Sequence, residues 1–166
     1  MSEANLHHAI LSEARLRLQD ESLNRILQCI DLLDDDQLWS APNSVTNSVG
    51  NLVLHLSGNI RQYFCHGIGG DTDIRERDGE FVPNQSVSRD DLKALITSAI
   101  EDGLTCVNAM SADHWLTEIH VQVFSMTRYS ALIHVIEHTS YHVGQITHLT
   151  KAQTGEETGY YGGLEL

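Results

Sequence analysis

Apolar residues recur at helical spacing in four long stretches of the chain, which predicts four helices. The stretches cover residues 2–33, residues 46 or 47 to 65, residues 88–110 and residues 130–152. Ser88 followed by Asp90 and Asp91 is typical of a helix start, because the hydroxyl caps free amides and the carboxylates favour the positive helix end. Gly155 is typical of the position just after a helix end.

The segments between these helices differ in character. Residues 35–45 hold Trp39 and are predicted to be a connector, with the Trp39 ring packed on the bundle end. Residues 67–87 are mostly polar, with a glycine cluster and Pro83, and predict a long surface loop, which in compact domains is often functional. Residues 118–126, EIHVQVFSM, alternate in polarity and predict a short extended segment. The tail YYGGLEL is irregular, and either folds back on the bundle or is disordered. The simplest assembly is an all-α four-helix bundle, a single domain over residues 1–166, with a long loop between helices 2 and 3.

Charge and cysteine content narrow the classes of partner. The chain has 10 Lys and Arg against 23 Asp and Glu, a formal net charge of −13, which argues against nucleic acid or an anionic membrane as a partner. The start of the chain shows no basic segment followed by an apolar block, and no apolar stretch is long enough for a membrane span. The three cysteines, Cys29, Cys65 and Cys106, form no CxxC pair, which favours reduced, buried thiols and predicts a cytoplasmic protein.

Histidines at fourfold spacing indicate the chemistry of the fourth helix. His134, His138 and His142, in the run HVIEHTSYHVGQI, lie on one helical face beside the apolar arc. A solvent-facing row is expected opposite that arc, so His138 and His142 are predicted to point into or beside the bundle interior. Imidazole is a common metal ligand, but a catalytic site usually takes three protein ligands. The third is expected from a facing helix.

The second helix offers His55 within a polar row that also adjoins its apolar stripe. The row consists of Ser48, Asn51, His55, Asn59 and Gln62. Two such rows suggest a polar pocket shared by the two helices, although a row of this kind is more often a solvated helix face. The HExxH motif is not present, because Glu137 precedes His138 on another face, so no carboxylate base is expected near the histidines.

These segments resemble the DinB-like superfamily, which includes bacillithiol-transferase-like and mycothiol-dependent isomerase-like proteins. NSVGNLVLHLSGNIRQYF resembles its second helix and HVIEHTSYHVGQI its last, with the ending H-x-x-x-H-x-G-Q-I as the most specific part. The resemblance implies up-down-down-up topology, often in a homodimer. It also implies a divalent metal, commonly nickel or zinc, held by His55, His138 and His142, with the remaining coordination positions open to water or substrate.

The sequence departs from the family beside the first histidine. Many members carry tryptophan where this chain has Asn51, and another often stands where it has Leu54. A more polar and roomier pocket is therefore expected. His134 is not one of the family's three ligands, and is interpreted as a pocket wall or as a hydrogen-bonding neighbour of a ligand or substrate.

The expected function is that of a metal-dependent enzyme acting on a small molecule. One version transfers a low-molecular-weight thiol to an electrophile, and the other hydrolyses an amide or ester. Pocket hydrogen bonds are expected from Tyr141, Asn51, Asn59 and Gln145. Two alternatives remain open at this point: a metal-binding stress protein or sensor without turnover, and a structural site that joins helices two and four.

Overall fold

The computed structural model describes residues 3–82, 86–160 and 162, and in this part of the chain four long helices form a bundle. The first joins Glu3–Arg15, a π-helical stretch Leu16–Leu23 and Asn24–Leu32; the second joins Val49–Ile60 to a π-helical stretch Arg61–Ile68; the third is Arg89–Asn108; the fourth is Arg128–Thr154. The four predicted helices are confirmed, with small shifts at their ends. Expectations about residue 2, Pro83 and tail residues 161 and 163–166 lie outside the described residues.

Side-chain caps set the helix boundaries. The Ser48 hydroxyl accepts from the amide of Asn51, whose side chain accepts from the Ser48 amide, so the second helix begins at Val49, two or three residues later than predicted. Ser88 caps the third helix in the same way with Asp91, as predicted. Gly155 adopts the left-handed conformation, φ 70°, after the fourth helix, also as predicted.

The connector after the first helix is partly helical. Asp34 caps a short helix, Asp35–Trp39. The prediction of a simple connector over residues 35–45 is therefore wrong for its first five residues. Trp39 is buried against the start of the second helix, and a Cβ on Gly50 would lie 2.8 Å from its ring. The predicted packing of Trp39 is confirmed, and Gly50 leaves the space for it.

Short elements occupy the other connections. The loop between the second and third helices contains a 3-10 helix, Arg77–Phe81, and another, Ala112–His114, follows the third helix. The predicted extended segment is an antiparallel hairpin of β1, Glu118–Val121, and β2, Phe124–Thr127, with Glu118 opposite Thr127.

Contacts between the second and third helices show that these neighbours are parallel. Arg61 of the second helix donates a hydrogen bond to Ser98 of the third. Further towards the C-terminal end of both helices, a Cβ on Gly103 would touch Phe64. Residue numbers therefore rise together along the two helices. Parallel neighbours need a long connection, and residues 69–88 supply it.

The remaining pairs are antiparallel. On the second and fourth helices His55 faces His142, whereas Tyr63 faces His134. The start of the third helix meets the end of the first, where Lys93 forms an ion pair with Asp31. The bundle therefore runs up-down-down-up, as the resemblance implies.

The core lies along the bundle axis and draws on all four helices. Its fully buried large side chains include Leu18, Ile26, Ile30, Leu56, Ile60, Phe64, Leu92, Ile96, Ile100 and Leu132. Burial of such side chains stabilises each by about 1.5–3 kcal/mol, which fixes the second and fourth helices against each other. None of the helices in the described ranges combines the length and the apolar character needed to cross a membrane.

Candidate metal centre

Three histidines from two antiparallel helices meet inside the bundle. One ring nitrogen each of His55, His138 and His142 lies within 4.8 Å of the others, and the Nε2 atoms of His55 and His138 are 2.9 Å apart. The His142 ring centroid is 4.5 Å from that of His138 and 5.1 Å from that of His55. His55 and His142 expose only 6% and 9% of their surface. The structure thus brings together the three residues that the resemblance implies as ligands, and they could hold one metal ion.

A carboxylate that was not expected from the sequence stands behind His55. Glu80, in the 3-10 helix of the long loop, lies with Oε2 2.9 Å from His55 Nδ1. Arg75 donates two bonds to the same carboxylate, at 2.7 and 2.8 Å, and its side chain is only 4% exposed. Glu80 is buried, so the interpretation of this loop as entirely a surface segment is wrong. Because Arg75 and His55 already engage its carboxylate, Glu80 is a support for His55 and not the free carboxylate base whose absence was expected.

Gly58 explains how Glu80 comes so close to the second helix. It lies one turn after His55, and a Cβ at this position would collide with the Glu80 carboxylate and touch Arg75. Glycine is unfavourable within a helix by roughly 0.5–1 kcal/mol relative to alanine, so its presence here indicates a close approach. This glycine is the signal in the sequence that could have indicated a partner behind His55.

Hydrogen bonds select the tautomers of two ligands. Gln145 Oε1 lies 2.6 Å from His142 Nδ1, and an amide oxygen can only accept, so Nδ1 carries the proton and Nε2 is left as a lone-pair donor to a metal. Glu80 selects the same tautomer of His55. Arg75 Nη2 also lies 3.2 Å from His55 Nδ1, but its shorter bond goes to Glu80, which leaves the imidazole proton for the carboxylate. A carboxylate behind a ligating histidine is a common support for metal sites.

The surroundings of His138 and His142 favour the neutral form of each imidazole. Burial, and then the neighbouring His142 and His55, lowers the pKa of His138 to about 3. Burial also lowers the pKa of His142, although the Gln145 bond opposes it. Burial would raise the pKa of Glu80, but the bonds from Arg75 and His55 outweigh it and lower that pKa. Metals require neutral imidazoles, so the lowered pKa values of His138 and His142 favour metal binding. The histidines lie beside a carboxylate–guanidinium pair whose charges cancel.

The polar row of the second helix holds the long loop in place. Asn51 donates to the backbone oxygens of Glu80 and Val82, at 2.9 and 3.2 Å. Gln62 donates to Asp73 and accepts from Arg75, at 2.7 and 2.8 Å. The row is therefore buried and is not a solvated face. The expectation of a roomier pocket at Asn51 is wrong because its amide is occupied by the loop.

His134 stands beside the three ligands and is not one of them. Its ring stacks on His138, with the centroids 5.4 Å apart, and makes a tilted contact with the Tyr63 ring at 4.3 Å. Burial lowers its pKa, and its Nε2 is buried without a hydrogen-bond partner among the described residues. These contacts agree with the interpretation of His134 as a wall of the centre.

The other expected pocket residues separate into two groups. Tyr141 and Gln145 lie on the wall of a cavity of about 500 Å³ between the fourth helix and residues 45–47, and Tyr141 is 64% exposed. Asn59 is buried in the bundle, and Asn51 binds the loop, so neither lines this cavity. Because Gln145 also bonds His142, it joins the cavity to the histidine cluster.

Comparison with known proteins places the chain in a family. Residues 5–160 match DUF1572, described as a protein of unknown function. The chain belongs to this family. No curated protein matches the sequence. The description of the family names no activity.

Two solved structures of DinB-like proteins are similar to this DUF1572 chain. The protein from Bacillus cereus ATCC 10987 has a TM-score of 0.67 at 16% identity, with 84% of this chain and 89% of the other covered. The protein from Bacillus subtilis has a TM-score of 0.64 at 15% identity, with 90% and 94% covered. The predicted DinB-like fold is confirmed, whereas identities this low carry no conclusion about metal or reaction. Residues 1–166 as a single domain stay a prediction.

Proposed function

We propose that this protein is a metal-dependent enzyme whose divalent ion, nickel or zinc, is bound by His55, His138 and His142. The convergence of three imidazoles, with His55 backed by Glu80, carries the proposal. A structural zinc site is normally closed by four protein ligands, whereas three ligands with open positions are typical of catalytic sites. Nitrogen ligands suit both nickel and zinc.

The charge around the histidines favours Lewis-acid chemistry. All three ligands are imidazoles, which bring no negative charge to the ion, and Arg75 cancels the charge of Glu80. When bound, the ion would supply Lewis acidity, which lowers the pKa of a coordinated thiol or water towards neutrality. Glu80 and Gln145 hold the rings of His55 and His142 in one orientation, so the ligand set needs little rearrangement.

Thiol transfer is the version of the reaction that these contacts favour. Hydrolysis commonly uses a carboxylate that is free to take a proton. Glu80, the carboxylate in contact with the ligands, is already engaged by His55 and by two bonds from Arg75. A low-molecular-weight thiol that coordinates the ion would release its proton to solvent, so thiol transfer does not need a free carboxylate. We infer that such a thiol binds beside His142 from the cavity lined by Tyr141 and Gln145. A cytoplasmic homodimer is part of the same proposal.

Metal content tests the ligand set. Elemental analysis of nickel-loaded protein is expected to show the loss of one ion per chain in His55→Ala, His138→Ala and His142→Ala. His148→Ala is the matched control, because His148 is an exposed histidine on the same helix and is expected to leave the metal content unchanged. Undiminished metal in His55→Ala would refute the site.

Thiol binding tests the reaction class. Nickel-loaded Cys65→Ser/Cys106→Ser protein, in which two of the chain's own thiols are replaced, is titrated with small thiols. Thiolate-to-nickel charge-transfer absorption is expected, and it should vanish in the additional His55→Ala variant. Tight nickel binding without such absorption would contradict thiol transfer and favour the sensor alternative.

A further inference from the structure

A second group of metal-binding side chains lies well away from the three histidines. The sulfur atoms of Cys65 and Cys106 and a carboxylate oxygen of Asp71 all lie within 4.8 Å of one another. Cys65 follows His55 by ten residues on the second helix, a separation of about 15 Å at the helical rise. The cysteines are 41 positions apart in the sequence (106 − 65), so the absence of a CxxC motif concealed the pair.

The parallel packing of the second and third helices creates the pair. Near the ends of these helices a Cβ on Gly69 would lie 3.0 Å from Cys106 Sγ, and 2.6 Å from the Cys65 carbonyl oxygen. Gly69 therefore lets Cys106 approach the end of the second helix. Cys65 is buried, whereas Cys106 is partly exposed, so the expectation of buried cysteines holds for the first and fails for the second.

A turn at the helix end brings Asp71 to the sulfur atoms. Gly70 adopts φ +87°, a conformation that side-chain-bearing residues rarely take, and this reverses the chain. The Asp71 amide then donates to the Cys65 carbonyl oxygen at 3.0 Å. The His66 ring donates through Nδ1 to the Asp71 carbonyl oxygen at 2.7 Å. Two backbone contacts thus fix Asp71 while its carboxylate remains exposed beside the cysteines.

An adjacent cavity gives access to the cluster. It measures about 430 Å³, and its walls include Cys65, Asp71 and His66. A new metal site needs suitable donor atoms, a fixed backbone and an entry path, and this end of the bundle has all three.

We propose that Cys65, Cys106 and Asp71 form a second divalent-metal site that selects zinc or another thiolate-preferring ion. Two sulfur donors and one carboxylate suit such ions, in contrast to the all-nitrogen set of the histidine centre. Three protein ligands leave a position for a molecule entering from the cavity. This proposal is independent of the proposed function, because the two sites share no residue.

The proton on Cys65 sets the conditions for filling the site. Burial, and then Cys106, raises the pKa of Cys65 to about 12. A metal must displace this proton, so affinity rises with pH and the test belongs at mildly alkaline pH. A disulfide between the same cysteines is the competing use of the pair, and it would leave Asp71 without a role.

Cobalt serves as the probe, because thiolate-to-cobalt charge transfer absorbs in the near ultraviolet and imidazole ligation does not. The reduced, metal-free full-length chain is titrated anaerobically with Co²⁺. The band is expected in the wild type, and in His55→Ala/His138→Ala protein it should saturate at one equivalent. Cys65→Ser/Cys106→Ser should lose the band but keep histidine-dependent cobalt binding. Asp71→Ala should weaken the thiolate-linked binding by at least about tenfold.

Cys29→Ser is the matched control, because Cys29 contacts Tyr160 elsewhere in the bundle. It should keep the band, and circular dichroism should show every variant folded. A band that survives Cys65→Ser/Cys106→Ser refutes the site, as does its absence from the wild type with all thiols free. A band that disappears with the histidines also refutes an independent site. If the wild type shows the thiolate band but no histidine-dependent cobalt binding, only the proposed function is refuted.

Discussion

Replacing Glu80 with Gln removes the charge behind His55 while keeping the shape of the side chain. The wild-type carboxylate accepts one bond from His55 and two from Arg75, at 2.7–2.9 Å. The amide group of Gln offers one oxygen in place of two, so the two residues compete for it. Arg75, which is almost fully buried, then keeps a charge without a compensating carboxylate.

The size of the effect follows from these contacts. Loss of a partner behind a ligating histidine typically costs 10–100-fold in metal affinity, which corresponds to about 1.4–2.8 kcal/mol. Removal of one member of a buried ion pair costs folding stability of about 3–5 kcal/mol. We therefore expect weaker metal binding together with a lower melting temperature. Glu80→Asp keeps the charge but shortens the reach, and should fall between the two proteins.

A competition titration against a chromophoric chelator measures the metal affinity of each folded variant. Asp73→Asn is the matched control, because Asp73 anchors the same loop through Gln62 but does not contact the histidines. Its metal affinity should stay within about twofold of the wild type, well below the change expected behind a ligand. If folded Glu80→Gln binds metal as tightly as Asp73→Asn, Glu80 does not support the metal centre.

Three further predictions concern the surroundings of the site. Gly58→Ala should destabilise the protein by about 1–3 kcal/mol, because the added Cβ meets Glu80. Gly144→Ala is the control: this glycine has open space around it, so the change should stabilise the protein by roughly 0.5–1 kcal/mol. Thermal unfolding compares the two variants, and stabilisation in both would contradict the close approach of Glu80 to Gly58. His134→Ala should keep one histidine-bound metal ion per chain by elemental analysis, and a loss of that ion would show that His134 is a ligand. The metal-free protein should lose stability as pH falls from about 6.5 to 5. The pKa of His138 is about 3 in the folded protein and near 6.5 in the unfolded chain, so the unfolded chain binds the proton first and is favoured. A melting temperature that does not change over this range, or that falls as steeply in His138→Gln, would contradict this.

The helices and the histidine cluster could be predicted because both follow from periodicity. His138 and His142 share a helical face with the apolar stripe beside it, and a facing helix must then supply the third residue. His55 is the histidine on the corresponding face of the second helix. The helix caps at Ser88 and Gly155 could also be predicted from the sequence, because their hydrogen bonds involve residues within about one turn.

Glu80 and the cysteine pair could not be predicted from the same evidence. Their positions depend on how a long loop folds and on the relative shift of two helices, and no periodic pattern encodes either. The polar row that includes Asn51 and Gln62 has two interpretations in the sequence, a solvated helix face or a pocket wall. In the structure these two side chains instead bind the long loop through hydrogen bonds. Gly58 was the informative residue, because an unfavourable helix interior glycine requires a reason.

The up-down-down-up topology itself accounts for the acidic residues that the long loop places along the second helix. Parallel second and third helices require the chain to return the whole length of the bundle between them. The returning segment runs back along the second helix: Asp71 lies beside Cys65, Asp73 bonds Gln62, and Glu80 bonds His55.

His55, Gln62 and Cys65 on the second helix each thereby have an acidic neighbour from the loop. Shortening the loop would have to remove one of these partners or break the parallel pairing. The length of the loop is therefore a requirement of the topology. Its acidic residues contribute to both candidate metal sites, Asp71 as a ligand beside the cysteines and Glu80 as the support of His55.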